Sequence, residues 1–441
     1  MPPESTPAAL ARAAAAWLLV AVAVLSVVGD VVPVYPDWVT GVIGWLAAVL
    51  LWPRIKPAQQ AVVIGLVVCG AAGIAWGMLR GHTGFIGRAL TQNIPLIGLL
   101  IAVAFLQLIS TSSTSSSSAG ERLSTGRYAL LRTLIGVQLF GAVINYSAVA
   151  IFAERLSART RLSLDQATGL SQAFIIGALW SPFYGSMAVA YTFAPAASLT
   201  LLVSIGLPFA LCGILLTWLT LSSKRHGYAR DFAGYPLHLE ALLVPALLAI
   251  AVLVAHEIKP AWSVLAIITL TAPAVTVLTL LAREGNRTGA ALLRLIRLRL
   301  PEMGNEVALF MAAGVLSAGM AGMIAALDLR VPFEHYGAFE ASLTTGAIML
   351  AAWAGFHPVI LCMVVGPWIA TLAPDPTLLA MTILIPWALG LPGCPTSNTV
   401  LSLHSRYGVS LRDMLRRNRL FGLQMYALSV IVICVYARLA L

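Results

Sequence analysis

Charge is what this chain has least of. Asp, Glu, Lys and Arg together make up 10% of its 441 residues while hydrophobic residues make up 59%, against roughly 25% and 45–50% in soluble domains. That balance, with a mean hydropathy of +0.90, excludes an ordinary water-soluble fold and calls for lipid as solvent. No run alternates apolar and polar residues with period two, so a transmembrane barrel is excluded and helices are left to do the crossing. The five cysteines, Cys69, Cys212, Cys362, Cys394 and Cys434, lie in apolar segments without metal-ligand spacing, which removes zinc and disulfide frameworks. No His-Glu-x-x-His and no paired carboxylates at membrane depth are present, so an embedded enzyme lacks its catalytic groups. The same missing carboxylates argue against a carboxylate proton relay and an Asp/Glu cation site. The net charge of +10 is spread over short loops and forms no single basic face, so no nucleic acid partner is expected.

What the chain does have is a series of apolar runs, each near the about 20 residues that cross a hydrocarbon core: 10–34, 38–53, 60–80, 93–110, 198–221, 240–257, 262–282, 303–326 and 418–439. The first is read as a helix rather than a signal peptide, because it is long and no clear small-residue cleavage site follows Gly29-Asp30. Two further regions, 128–153 and 343–372, are each either a span or a hairpin that returns to its own side. The basic residues decide. With two hairpins and a cytoplasmic N-terminus, 22 Lys and Arg lie inside and 5 outside. With two plain spans the division is 13 to 14, and the positive-inside asymmetry disappears. A single hairpin gives 18 to 9 or the reverse.

The predicted architecture is therefore an all-α integral membrane protein with eleven transmembrane helices plus two re-entrant hairpins, multi-pass in a bacterial inner (plasma) membrane. Residues 1–37 hold an N-terminal helix. A first repeat, 38–221, carries an inner hairpin at 128–156; a cytoplasmic linker follows at 222–239; a second repeat, 240–441, carries an outer hairpin at 342–372. The order of elements recurs in the two repeats, and the spacing Asn93 to Asn145 equals that from Asn305 to His357, 52 residues. An inverted-topology repeat is the usual plan of secondary transporters, with substrate near the midplane. The Ser-rich stretch Thr111–Ser118 reads as a flexible linker, and Gly289–Leu300, GAALLRLIRLRL, as an amphipathic segment on the membrane surface.

After each hairpin the helical pattern is interrupted, by Trp180-Ser181-Pro182-Phe183-Tyr184-Gly185-Ser186 and by Pro392-Gly393-Cys394-Pro395-Thr396-Ser397-Asn398-Thr399. Proline and glycine unwind a helix, and unwound backbone at membrane depth must line a cavity or bind something. Half-helix N-termini attract anions; freed carbonyls and hydroxyls can coordinate sodium. The competing reading is a simple kink, weaker for the longer second run. The hairpin tips carry Asn145-Tyr146-Ser147 and Gly355-Phe356-His357-Pro358. Candidate substrate ligands are thus Asn145, Ser147, Ser181, Tyr184, Ser186, His357, Thr396, Ser397, Asn398 and Thr399. Candidate sodium positions lie near Asn145, Gly185, Gly355, Gly393 and Ser397. His357, alone among ionisable groups at the expected membrane centre, is either a solute or proton ligand or a hydrogen-bonded core residue.

The layout, and the motif Pro392-Gly393-x-Pro-Thr-Ser-Asn398-Thr followed by Ser410-Leu-Arg-Asp413-Met-Leu, resembles the ion transporter superfamily and within it the divalent anion sodium symporters. The resemblance implies opposed hairpins, a dimeric scaffold, an elevator motion, and Ser-Asn-Thr motifs at both tips. This chain departs at the tips, and its Ser397-Asn398-Thr399 sits at the second helix break instead. The expected function is secondary transport of a small-molecule anion such as a di- or tricarboxylate, coupled to sodium or protons, by a homodimer in the lipid membrane. An ion channel or a cation/proton antiporter of the same superfamily is the alternative, although no ring of filter residues is visible.

Overall fold

The computed structural model describes residues 6–32, 34–114, 124–158, 160–234 and 243–440. These form nineteen α-helices and one pair of two-residue strands. Helix starts follow local chemistry. Ser163 and Gln166 form a reciprocal capping box on α8 (Leu164–Ile175), Ser198 caps α10 (Leu199–Leu221), Ser263 caps α12 (Val264–Glu284), and Asp375 caps α17 (Pro376–Gly390). Each hydroxyl or carboxylate accepts from an N–H that the helix cannot satisfy itself. Among the described residues, eight helical stretches are long and apolar enough to cross a membrane, so the chain is a multi-pass helical membrane protein; α2 (Asp37–Leu51), at 15 residues, is shorter.

The chain divides into two compact units, each assembled from separated segments. The first comprises Met1–Ile109, Ala251–Glu334 and Met363–Ala373. Its tightest packing joins α3 (Pro57–Leu79) to α14 (Gly304–Leu327), where glycines let the backbones touch. A Cβ on Gly73 would stand 2.4 Å from the Gly319 carbonyl oxygen, and one on Gly319 would stand 2.2 Å from that of Gly70. Lipid provides no hydrophobic drive between helices, so such close approach is what holds them. α1 (Thr6–Val31) packs against α2, and Asp30 accepts from the Ser263 N–H at 2.8 Å. Beyond α12 comes α13 (Thr288–Arg294), and the chain then loosens into a π turn over Leu295–Arg299. Leu295, Ile296 and Leu300 are buried on the α1 side and Arg294, Arg297 and Arg299 are exposed, an amphipathic arrangement.

The second unit comprises Ser110–Ile250, His335–Cys362 and Pro374–Leu441. Its centre is α17, buried at every residue from Thr377 to Gly390; α18 (Asn398–Tyr407) buries only Thr399, Val400 and Leu403, and α19 spans Leu411–Ala440. α15 (Ala338–Trp353) packs on α17 and α19, with Tyr426 donating to the Ser342 carbonyl at 2.9 Å. α6 (Arg127–Ile144) and α7 (Ser147–Ser157) meet at Asn145, whose φ of 55° breaks the helix. The rings of Phe140 and Phe152 lie 6.0 Å apart. Twelve residues of continuous helix would rise about 18 Å, so the chain turns back at Asn145.

Two linkers differ from the sequence reading. The first residues of Thr111–Ser118 continue α5 (Ile94–Thr114), and residues 115–118 lie outside the described residues. In 222–239, Lys224–Ala229 forms a 3-10 turn, and Ala233–Gly234 (β2) pairs antiparallel with Ser124–Thr125 (β1). The Gln166 amide, already engaged at the cap of α8, donates to the Ala233 carbonyl at 3.0 Å. Residues 235–239 lie outside the described residues.

Candidate functional site

The first break separates α8 from α9 (Gly185–Phe193). After α8 the helix tightens into a 3-10 turn, Ile176–Leu179, and then opens. Ser181, fully buried, donates its hydroxyl proton to the Ala142 carbonyl in the last turn of α6 and accepts from the Phe183 N–H at 3.3 Å. Buried Tyr184 folds back to donate to the Phe174 carbonyl at 2.6 Å. Glycine is required beside it, since a Cβ on Gly177 would lie 2.8 Å from the Tyr184 hydroxyl. Ser186 donates to the Ala178 carbonyl at 3.2 Å, spanning the break. Gln138 of α6, with its amide oriented to suit both neighbours, accepts from the Trp180 indole at 2.8 Å. These three polar residues, Ser181, Tyr184 and Ser186, therefore spend their hydrogen bonds on holding the break in shape.

The second break separates α17 from α18, through a 3-10 turn at Leu391–Gly393. On its carbonyl side the freed groups have partners. Asn418 donates to the Pro392 oxygen at 3.0 Å, and the Arg419 guanidinium donates to Gly393 at 3.0 Å and to Trp353 at 2.6 Å. The Trp353 indole donates to Leu389 at 3.3 Å. Asn418 also belongs to a buried network: it donates to Ser171 and accepts from Gln172, each at 3.2 Å, while Thr217 donates to Gln172 at 3.0 Å. Gly393 has no room for a side chain, a Cβ there lying 2.4 Å from the Trp353 indole nitrogen.

The amide side of the same break is different. Ser397 occupies the N-cap of α18 in extended conformation but makes no side-chain cap. Ser397 is 1% exposed, and its buried hydroxyl has no hydrogen-bond partner. The first turn of a helix leaves its N–H groups, here those of Asn398, Thr399 and Val400, without intrahelical acceptors, at the positive end of the helix dipole. An orphaned buried hydroxyl beside them costs about 1–3 kcal/mol. The combination is a cluster of donors that lack acceptors. Asn398 and Thr396 are exposed and Thr399 is buried. The Thr396 hydroxyl lies 3.1 Å from the Cys394 sulfur and 3.5 Å from the Gly355 carbonyl, which ties the break to the tip between α15 and α16 (Pro358–Ala370).

Asn145 and Ser147 are half-buried at the α6–α7 turn, and α18 packs against α7 and α8. The Asn145 carbonyl accepts from the Ala148 N–H at 3.0 Å. Gly185 opens α9, which likewise has no side-chain cap. Gly355 has a φ of 119°, which favours glycine at this tip. His357 stands edge-on to Trp387, centroids 6.0 Å apart, and its Nδ1 accepts from the Val359 N–H at 3.3 Å. It thus caps α16. Sequence reasoning missed Gln172, Asn418, Arg419 and Trp353; Arg419, at the head of the apolar run 418–439, lies within α19 and is half-buried. The signal was an adjacent Asn418-Arg419 pair at the edge of an apolar run, a position where a polar group needs a buried partner.

No family model matches this chain, and no curated protein matches it. Among solved structures, the chain is similar to the YdaH transporter of Alcanivorax borkumensis, at 15% identity and a TM-score of 0.45, over 86% of this chain and 85% of that one.

Proposed function

We propose that this protein is a secondary active transporter of a small anion and that the solute binds at the N-terminus of α18. The observation that carries the reading is the unpartnered, buried Ser397 hydroxyl beside the free amides of α18, a donor set suited to a carboxylate or an inorganic oxyanion. Thr399 and Asn398 complete it, with Asn145 and Ser147 of the α6–α7 turn supplied from the same unit. Arg419 favours an anion in a second way. Its guanidinium already occupies the Gly393 carbonyl, so a sodium ion there would meet a positive charge; a sodium ion, if it is the coupling ion, binds instead near Asn145, Gly185 or Gly355. A proton is the other candidate.

The mechanism follows from the α6–α7 turn, the Gly355 tip and both breaks lying in the second unit, with Met363–Ala373 of the outer hairpin in the first. Eleven spans and two re-entrant hairpins, arranged as inverted repeats, would let the second unit carry its solute as a rigid body, an elevator within a homodimer of the bacterial inner membrane with a cytoplasmic N-terminus. Support comes from the way both units draw segments from both halves of the chain, as intertwined repeats do. Uptake into proteoliposomes under separate sodium and proton gradients, with di- and tricarboxylates, monocarboxylates and sulfate, tests the reading. Saturable, gradient-driven uptake of an anion supports it. Gradient-independent, non-saturating flux would identify a channel.

A further inference from the structure

A cavity lies beside the second break, at the N-terminal end of α19. It holds about 1050 Å³, at the upper end of the range for small-molecule pockets. Its floor and rim carry four arginines, Arg412, Arg416, Arg417 and Arg419. Two are committed: Arg417 is paired with Asp165 and Arg419 with the carbonyls of Gly393 and Trp353. Arg412 and Arg416 are exposed and have no carboxylate at salt-bridge distance among the described residues. Asp413 contributes one opposing charge to the rim. The other walls are leucines, including Leu164 and the exposed Leu420 and Leu423.

Helix length places this cavity with respect to lipid. α19 has 30 residues and is about 45 Å long, whereas the hydrocarbon core is about 30 Å thick. If Leu420–Ala440 crosses the core, Leu411–Arg419 stands in the headgroup layer. The arginines then lie at phosphate level, with Leu420 and Leu423 one and two turns deeper, among acyl chains. Cations above and an apolar wall below match an amphiphile with an anionic head, and a soluble anion would leave the leucines uncovered.

We propose that this cavity binds an anionic phospholipid, its phosphate held by Arg412 and Arg416 and its upper acyl segments lying on Leu420 and Leu423. The site rests on the membrane reading of α19 and is independent of which solute is transported. The lipid sits beside Arg419, so its binding would steady the helix that pins the second break.

The test is native mass spectrometry and thermal stability of the detergent-purified full chain titrated with phosphatidylglycerol, phosphatidylcholine or glycerol 3-phosphate. Phosphatidylglycerol should be retained and should raise the melting temperature, and phosphatidylcholine should do neither. The paired change Arg412→Gln/Arg416→Gln should weaken phosphatidylglycerol binding by roughly tenfold or more, while Arg330→Gln, an exposed arginine paired with Asp328 outside the cavity, should leave it unchanged. Should the first pair misfold, Leu423→Gln supplies the check, lowering lipid retention while preserving the preference for phosphatidylglycerol. Equal binding of the two lipids, or undiminished binding in both cavity variants, would overturn the proposal. So would equal stabilisation by glycerol 3-phosphate, which would make the cavity a soluble-anion site. Proteoliposome uptake by the Arg412→Gln/Arg416→Gln protein separates this result from the solute-site reading, since uptake can persist when the lipid is lost.

Discussion

Ser397 and Arg419 do opposite work at one helix break. Ser397 presents a hydroxyl with no partner; replacing it with alanine should lower apparent solute affinity, raising the uptake KM by roughly tenfold as one hydrogen bond to a charged group is lost, and should raise the solute-free melting temperature as the unsatisfied hydroxyl is removed. Unchanged KM would remove Ser397 from the site. Arg419 satisfies two carbonyls, and Arg419→Gln should lower the melting temperature and speed amide exchange around residues 389–394. Lysine should restore this only in part, because a single ammonium does not reproduce the fork of a guanidinium. His357 adds a third residue-scale case. Its Nδ1 caps α16, so a purely capping role predicts that His357→Asn keeps uptake and its pH profile. A role in proton coupling predicts that uptake by this variant no longer changes with pH. Uptake measured from about pH 5.5 to 7.5, where an ordinary imidazole titrates, tells the two apart.

Among the elements, the α3–α14 contact and the α6–α7 turn make separate demands. Gly70 and Gly73 of α3 and Gly319 of α14 leave no volume for a methyl group. Gly319→Val should therefore destabilise the first unit by about 1–3 kcal/mol or more, seen as a lower melting temperature in detergent. Gly65 of α3, with nothing within 4 Å of its Cβ position, should accept valine without that loss. The turn at Asn145 was legible in sequence as short polar residues inside an apolar run. Its membrane sidedness rests on the arginine count, and cysteines at positions 122 and 155 should label from the same, cytoplasmic, face. Labelling from opposite faces would make α6 and α7 a crossing. Helix α19 illustrates what pattern alone misses: the apolar run beginning at 418 marked a span, yet Asn418 and Arg419 turn inward to the break. Periodicity registers which face is apolar and is silent on which carbonyls a neighbouring helix has freed.

At the scale of the whole molecule, residue chemistry by itself determined the solvent, the helical class, most helix positions and the two breaks. Hydropathy, proline and glycine act locally, and local effects survive in a linear pattern. The serine, asparagine and threonine candidates were likewise visible, because polar side chains in apolar sequence are rare. Which of them are spent was decided only in three dimensions. Ser181, Tyr184 and Ser186 close the first break on itself, and Arg419 with Asn418 closes the carbonyl side of the second, while Ser397 is left open. Tertiary structure also decided that segments far apart in sequence share a unit. Hydrogen bonds between residues such as Gln172 and Asn418, 246 positions apart, depend on where helices pack, and no spacing rule along the chain encodes that.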